Sequence, residues 1–251
     1  MLFGAVGFTG TMIAVAIISM LTSYILFIVT RNLRLEHEED ENIDKIYKLY
    51  LSPDSLVYCW LVSVCVGGCM VPVEGMATIF FRTNYQKSVQ FGGIVLGACG
   101  VMYSMASLVF GFVGDVYARV QKALLVGGLS VMGVSLLLIG PVVGGYLELS
   151  LVGYILLQVG SAATQINSVT IGTLALSKYV LPASAMAIVV NATNVAYNMG
   201  AFIGPVISGI TIQYYAFPMV FAIGAPVFFL ASIFIAMYEL VKRPRAKLEM
   251  F

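Results

Sequence analysis

Windows of ~20 apolar residues recur along this chain at near-regular spacing, and a helix of that length crosses the hydrocarbon core of a bilayer. The sequence predicts seven such spans, near 4–30, 55–81, 91–114, 123–141, 149–176, 184–212 and 218–241. In hydrocarbon the backbone must satisfy its own polar groups, so the expected fold class is all-α, a polytopic membrane helix bundle. Most connections are short, which makes successive helices antiparallel neighbours. Composition agrees. The chain is 60% hydrophobic and 10% charged, where a soluble domain carries roughly 25% charged residues. A formal net charge of +1 gives no reason to expect nucleic acid as a partner. The expected surroundings are the lipid bilayer.

The first apolar segment has no basic stretch before it and is followed by Arg31 and Arg34 rather than a small-residue cleavage site, so it reads as a true span. The one long connection, residues 31–54, is charged and reads as a surface loop with a short amphipathic helix. Alternate connections place Arg31, Arg34, Lys45, Lys48, Arg119, Lys122, Lys178, Lys242, Arg243, Arg245 and Lys247 on one side, and Arg82 and Lys87 on the other. By the positive-inside rule the 31–54 loop and a tail at 242–251 are cytosolic, and the C-terminus with them. Vesicular and plasma membranes are not distinguished. Cys59, Cys65, Cys69 and Cys99 lie in apolar stretches and read as packing residues, neither a disulfide framework nor a zinc site. No metal and no cofactor are expected, and no Walker-type phosphate loop is written.

Polar residues inside the spans carry the functional signal. Residues 184–209 read SAMAIVVNATNVAYNMGAFIGPVISG. Asn191, Asn194 and Asn198 fall at i, i+3 and i+7 on one helix stripe. An amide in hydrocarbon needs partners or a wet cavity, so the stripe reads as the lining of a path or as interhelical hydrogen bonding. Gly200, Gly204, Pro205 and Gly209 form a small-residue seam suited to close packing and hinging. Asn191-Ala192-Thr193 matches the glycosylation pattern but lies inside a span, where it is expected to stay unmodified.

Glu74 shares a stripe of the second span with Trp60, Ser63, Gly67 and Met70, and Pro72 before it is expected to kink or loosen the helix. It lies ~9 Å to the non-cytosolic side of the middle of its span. An intramembrane acid is functional by default; the alternative is an acid near the interface that reaches water. On the fifth span Gln158, Ser161, Gln165 and Ser168 make one polar stripe, and Asn167 points nearly the opposite way. Asn167 and Asn194 each lie ~6–7 Å to the cytosolic side of their spans, at a matched depth where two amides would meet across a cavity or bond to each other. Tyr103, Ser104 and Ser107 on the third span read as cavity lining or as a generic packed face. Residues 111–122 read GFVGDVYARVQK. An acid at a helix C-terminus opposes the dipole, so Asp115 is expected to find a partner in Arg119 or Lys122.

Taken together these segments resemble the C-terminal half of a major facilitator superfamily transporter, helices six to twelve. Gly111, Asp115 and Arg119 match that family's G-x-x-x-D-x-x-G-R loop, with Ala118 for the second glycine. Gly200, Gly204, Pro205 and Gly209 match its G-x-x-x-G-P-x-x-G-G pattern, with Ser208 for one glycine. Within the superfamily the chain is most similar to the vesicular amine transporters (solute carrier family 18), including their polyamine-type branch. That match rests on NVAYNMGAFIGPVISG at 194–209, on Phe217-Pro218 and on GCMVPVEG at 68–75. The monoamine members carry carboxylates in helices seven, ten and eleven. Glu74 stands about two residues from the first place, while the other two places fall on Asn167 and Asn194, whose amides cannot titrate.

The resemblance implies residues 1–30 as the last helix of an N-terminal half, 31–54 as the loop between halves, 55–241 as a six-helix C-terminal bundle, and 242–251 as a tail. It implies a secondary carrier working by alternating access, proton-coupled or gradient-driven, for a small organic solute of which cations are the class suggested. Glu74 would handle the proton or cation. Asn194, Asn198, Asn191, Asn167, Gln165 and Ser63 would touch the solute. Gly111, Asp115, Arg119 and Lys122 would form the gating loop, and Gly200, Gly204, Pro205, Gly209 and Pro72 the packing and hinge points. One half cannot enclose such a site, so the missing helices are expected upstream in a longer gene product or in a second half in trans. No enzyme is expected. The single histidine, His37, lies in the charged loop, and only Asp115 among the aspartates is near a span, which leaves no intramembrane protease site. The alternative function is a non-transporting membrane scaffold or a partner of another half-transporter.

Overall fold

The computed structural model describes residues 48–49, 51–140, 146–215 and 218–248, the last seven as backbone alone. The expected span 4–30, the loop through residue 47 where a short amphipathic helix is expected, and residues 249–251 lie outside the described residues. Six long helices make up the rest: α1 (Pro53–Tyr85), α2 (Val89–Val116), α3 (Gln121–Ile139), α4 (Leu147–Leu176), α5 (Pro182–Tyr214) and α6 (Met219–Leu248). No strand occurs among the described residues. All six helices are long and apolar enough to cross a membrane, which makes this an integral, multi-pass membrane protein.

Each expected span from 55–81 onward is present, with most ends within a few residues of those expected. The apolar part of α6 spans Met219–Val241, as expected, and the helix runs on to Leu248 through part of the 242–251 segment. Lys242, Arg243 and Lys247 are good helix formers, and cations suit a helix C-terminus. The starts and stops have local causes. Pro53 and Pro182 open α1 and α5 at the first helical turn, where the missing N–H costs nothing. Ser52 Oγ accepts from Ser55 N at 3.3 Å and Ser88 Oγ from Phe91 N at 3.2 Å, the usual N-cap bonds. Gln86 ends α1 in the left-handed region (φ 53°), with its N–H donated to Phe81 O.

Inside α1, residues Leu56–Leu61 form a π-helical segment. Its wider turn leaves a carbonyl for an outside donor, and Ser168 Oγ of α4 donates to Tyr58 O. Pro72 sits within the same helix, which runs on unbroken from Val62 to Tyr85.

Two glycine contacts set the tightest packing. A Cβ on Gly128 of α3 would lie 2.8 Å from Gly160 O of α4. Between α1 and α5 the approach is closer: a Cβ on Gly200 would lie 2.3 Å from Val64 O, and one on Gly204 2.0 Å from Gly68 O. Pro205, beside this seam, is exposed, and Gly209 one turn on meets nothing within 4 Å. α3 also packs on α6, where Ser130 and Ser232 share a 2.9 Å hydrogen bond. Phe80, Phe81, Tyr85, Phe91, Tyr154 and Phe221 build an aromatic cluster at the end of the bundle that carries Arg82. α2 is the least covered helix and turns Ile94, Leu108 and Phe112 outward, as a lipid-facing helix does.

Candidate functional site

α1, α2, α4 and α5 line an open cavity of about 550 Å³ with polar side chains in its wall. Each helix supplies residues at helical spacing. Met70 and Glu74 come from α1, and Gln158, Ser161 and Gln165 from α4. Thr193, Asn194 and Tyr197 come from α5, and Leu96, Gly100 and Tyr103 from α2. α3 and α6 back these walls without lining them. Among the described residues no lysine, arginine or histidine lines the cavity.

Glu74 therefore has a neutral partner. Gln158 Nε2 donates to Glu74 Oε1 at 2.9 Å, from a glutamine that is itself 4% exposed. One turn along α4, Gln165 Nε2 donates to Ser161 Oγ at 3.2 Å. Thr193 Oγ1 is buried with no hydrogen-bond partner among the described residues. Asn194 lines the cavity and is exposed. Such a wall is rich in neutral hydrogen-bonding groups around one carboxylate.

The expected site residues divide. Glu74, Gln165 and Asn194 come together at the cavity, and so does Tyr103. Asn167 does not. It is 1% exposed, donates to Ala163 O at 2.7 Å, and faces Gly114 of α2 on the opposite side of α4 from Gln158 and Gln165. The two amides at matched depth neither meet nor bond. Asn191 and Asn198 are exposed on α5 beside Asn194 but outside the lining. Ser63 is buried on α1 away from it. Ser104 and Ser107 donate to the carbonyls of Gly100 and Tyr103 in their own helix.

The expected partner of Asp115 is also corrected. Gln121 Nε2 donates to Gly114 O at 2.9 Å and closes the turn between α2 and α3. That bond fixes the start of α3, and Lys122 then falls on the side toward α6. There Lys122 Nζ pairs with Glu239 Oε2 at 2.5 Å, and Tyr58 of α1 donates to the other oxygen of Glu239. Asp115 and Arg119 are both exposed, and no ion pair joins Asp115 to Arg119 or Lys122 among the described residues. Tyr238 donates to Asp54 at 2.8 Å. Three helices are thus tied at one end by Tyr58, Lys122 and Glu239. The sequence signal for this was Glu239 itself, an acid at the edge of the last apolar window.

A second cavity, apolar and about 200 Å³, lies behind the glycine seam between α1, α5 and α6, with Pro72, Gly204 and Gly224 in its wall. The four cysteines are free thiols. Among the described residues no three His, Cys, Asp or Glu side chains gather as metal ligands would. Comparison with protein-family models, with curated proteins and with solved structures finds no match to this chain.

Proposed function

We propose that this chain is the substrate-binding unit of a secondary carrier of the major facilitator type, related to the vesicular amine transporters, and not an enzyme. It moves a small polar organic solute across a membrane by alternating access. The observation that carries this reading is the polar cavity walled by α1, α2, α4 and α5, with the Glu74–Gln158 pair inside it. A carboxylate and three amides between spanning helices are costly unless they serve a wet path. Transporter sites lie at such depths, between helices that can rock. Glu74 takes up and releases the proton, or balances a cation. Gln165 and Asn194 hold the solute. The exposed amides of Asn194 and Asn198 mark the face that further membrane-embedded protein completes.

The test is reconstitution of the chain, together with any membrane protein that copurifies with it from its native membrane, into liposomes holding a pH-sensitive dye, challenged with a panel of labelled solutes. Uptake of at least one solute is expected. Glu74→Gln should lower it at least tenfold, and Gly100→Leu, which fills the cavity, should abolish it. Uptake unaffected by both changes refutes the reading. A folded chain that moves no solute would leave the scaffold reading in its place.

A further inference from the structure

We infer that the cavity binds an uncharged, hydroxyl-rich organic molecule of about hexose size. The inference deepens the carrier reading and rests on it. Charge narrows the class first. With no cation and one carboxylate among the described residues of the wall, phosphate esters and carboxylate solutes are disfavoured. A single acid also leaves a dication or polycation with unmatched charge.

Hydrogen bonding narrows it further. Glu74 Oε1 is taken by Gln158, and one N–H each of Gln158 and Gln165 is used within the wall. What remains is mixed. Both glutamine carbonyls, the second carboxylate oxygen of Glu74, the whole Asn194 amide and the second N–H of each glutamine offer donors and acceptors together. An ammonium has donors only, so it suits Glu74 Oε2 and the amide carbonyls but leaves the N–H groups of Gln158, Gln165 and Asn194 without an acceptor. A hydroxyl both donates and accepts, so a molecule with several of them satisfies each group in turn. A ligand that covers these groups without pairing them costs them their bonds to water, and that cost discriminates between ligands. Tyr103 and Tyr197 add ring surface, and Met70 and Leu96 apolar surface, for the C–H faces of such a molecule. A cavity of about 550 Å³ falls in the range of small-molecule sites, roughly 300–1,000 Å³.

The test is equilibrium dialysis of the purified full chain in lipid nanodiscs against labelled glucose, mannitol, myo-inositol, choline and putrescine. At least one of the three polyhydroxy compounds should bind saturably at millimolar concentration or below, and more tightly than choline and putrescine. Asn194→Leu and Gln165→Leu should each weaken that binding tenfold or more with an unchanged unfolding midpoint. Ser104→Ala, beside Tyr103 but outside the lining, should bind as the unaltered chain does. Tighter binding of choline or putrescine overturns the uncharged class and leaves the carrier reading standing. Polyol binding that ignores both cavity substitutions overturns it as well. Binding of none of the five overturns it; only if uptake is also absent in liposomes does the carrier reading fall with it.

Discussion

Replacing Gly204 by alanine should destabilise the bundle far more than its one methyl group suggests. The new Cβ would sit 2.0 Å from Gly68 O and 2.7 Å from Gly68 C, both backbone atoms of α1. A carbon rests about 3.3 Å or more from a carbonyl oxygen, so α1 and α5 must part by more than an ångström at that level. No rotamer change can relieve it, because the obstruction is main chain. A gap of 0.5–1 Å already forfeits about a quarter to a half of each dispersion contact across an interface, and overpacking costs typically 1–3 kcal/mol. We expect a loss of ~2–4 kcal/mol by this reasoning. Gly209→Ala is the control on the same helix. It meets nothing within 4 Å, and relief of glycine's chain entropy should make it neutral or more stable by up to ~1 kcal/mol. The assay is SDS-induced unfolding of the reconstituted chain, followed by helical circular dichroism and by the fluorescence of the single tryptophan, Trp60. Equal midpoints for the two variants would refute the close approach of α1 and α5.

Three further outcomes are expected. Gln158→Leu leaves the Glu74 carboxylate without its amide donor and should cost ~1–3 kcal/mol in the same unfolding assay, with a loss of any uptake that depends on Glu74. Lys122→Met should cost under ~1 kcal/mol because its side chain is half exposed, whereas Tyr58→Phe, from a fully buried ring, should cost ~1.5–3 kcal/mol through the lost bond to a charged acceptor; a reversed order in parallel unfolding curves would count against the Tyr58–Glu239 contact. Asn191, though followed by Ala192-Thr193, should carry no glycan, so endoglycosidase treatment of protein from a eukaryotic host should leave its gel mobility unchanged.

The six described spans were legible because twenty-residue apolar windows have few alternatives in a bilayer. Their packing was less so. Helix period told that Gln158, Ser161 and Gln165 share a face and that Asn167 opposes it, but only the neighbours decide which face meets the cavity. The expected resemblance pointed to Asn167, and Asn167 lies against Gly114 instead. Gly200, Gly204 and Gly209 looked alike in sequence; the first two touch backbone of α1 and the third touches nothing. The bond from Gln158 to Glu74 joins residues on helices far apart in the chain, and no periodicity encodes it. The same holds for Lys122, whose spacing suggested Asp115 and whose partner is Glu239.

The π-helical segment Leu56–Leu61 carries a consequence for how α1 is wound. Rewinding it as ordinary α-helix would turn everything before it, Asp54 included, by about 100° per residue redistributed. Asp54 would then leave Tyr238, and Tyr58 would leave Glu239. What opposes this is Ser168, whose hydroxyl occupies the carbonyl that an α-turn would reclaim. The pitch of the first helix is thus stored in the fourth, like a catch holding a spring one notch open.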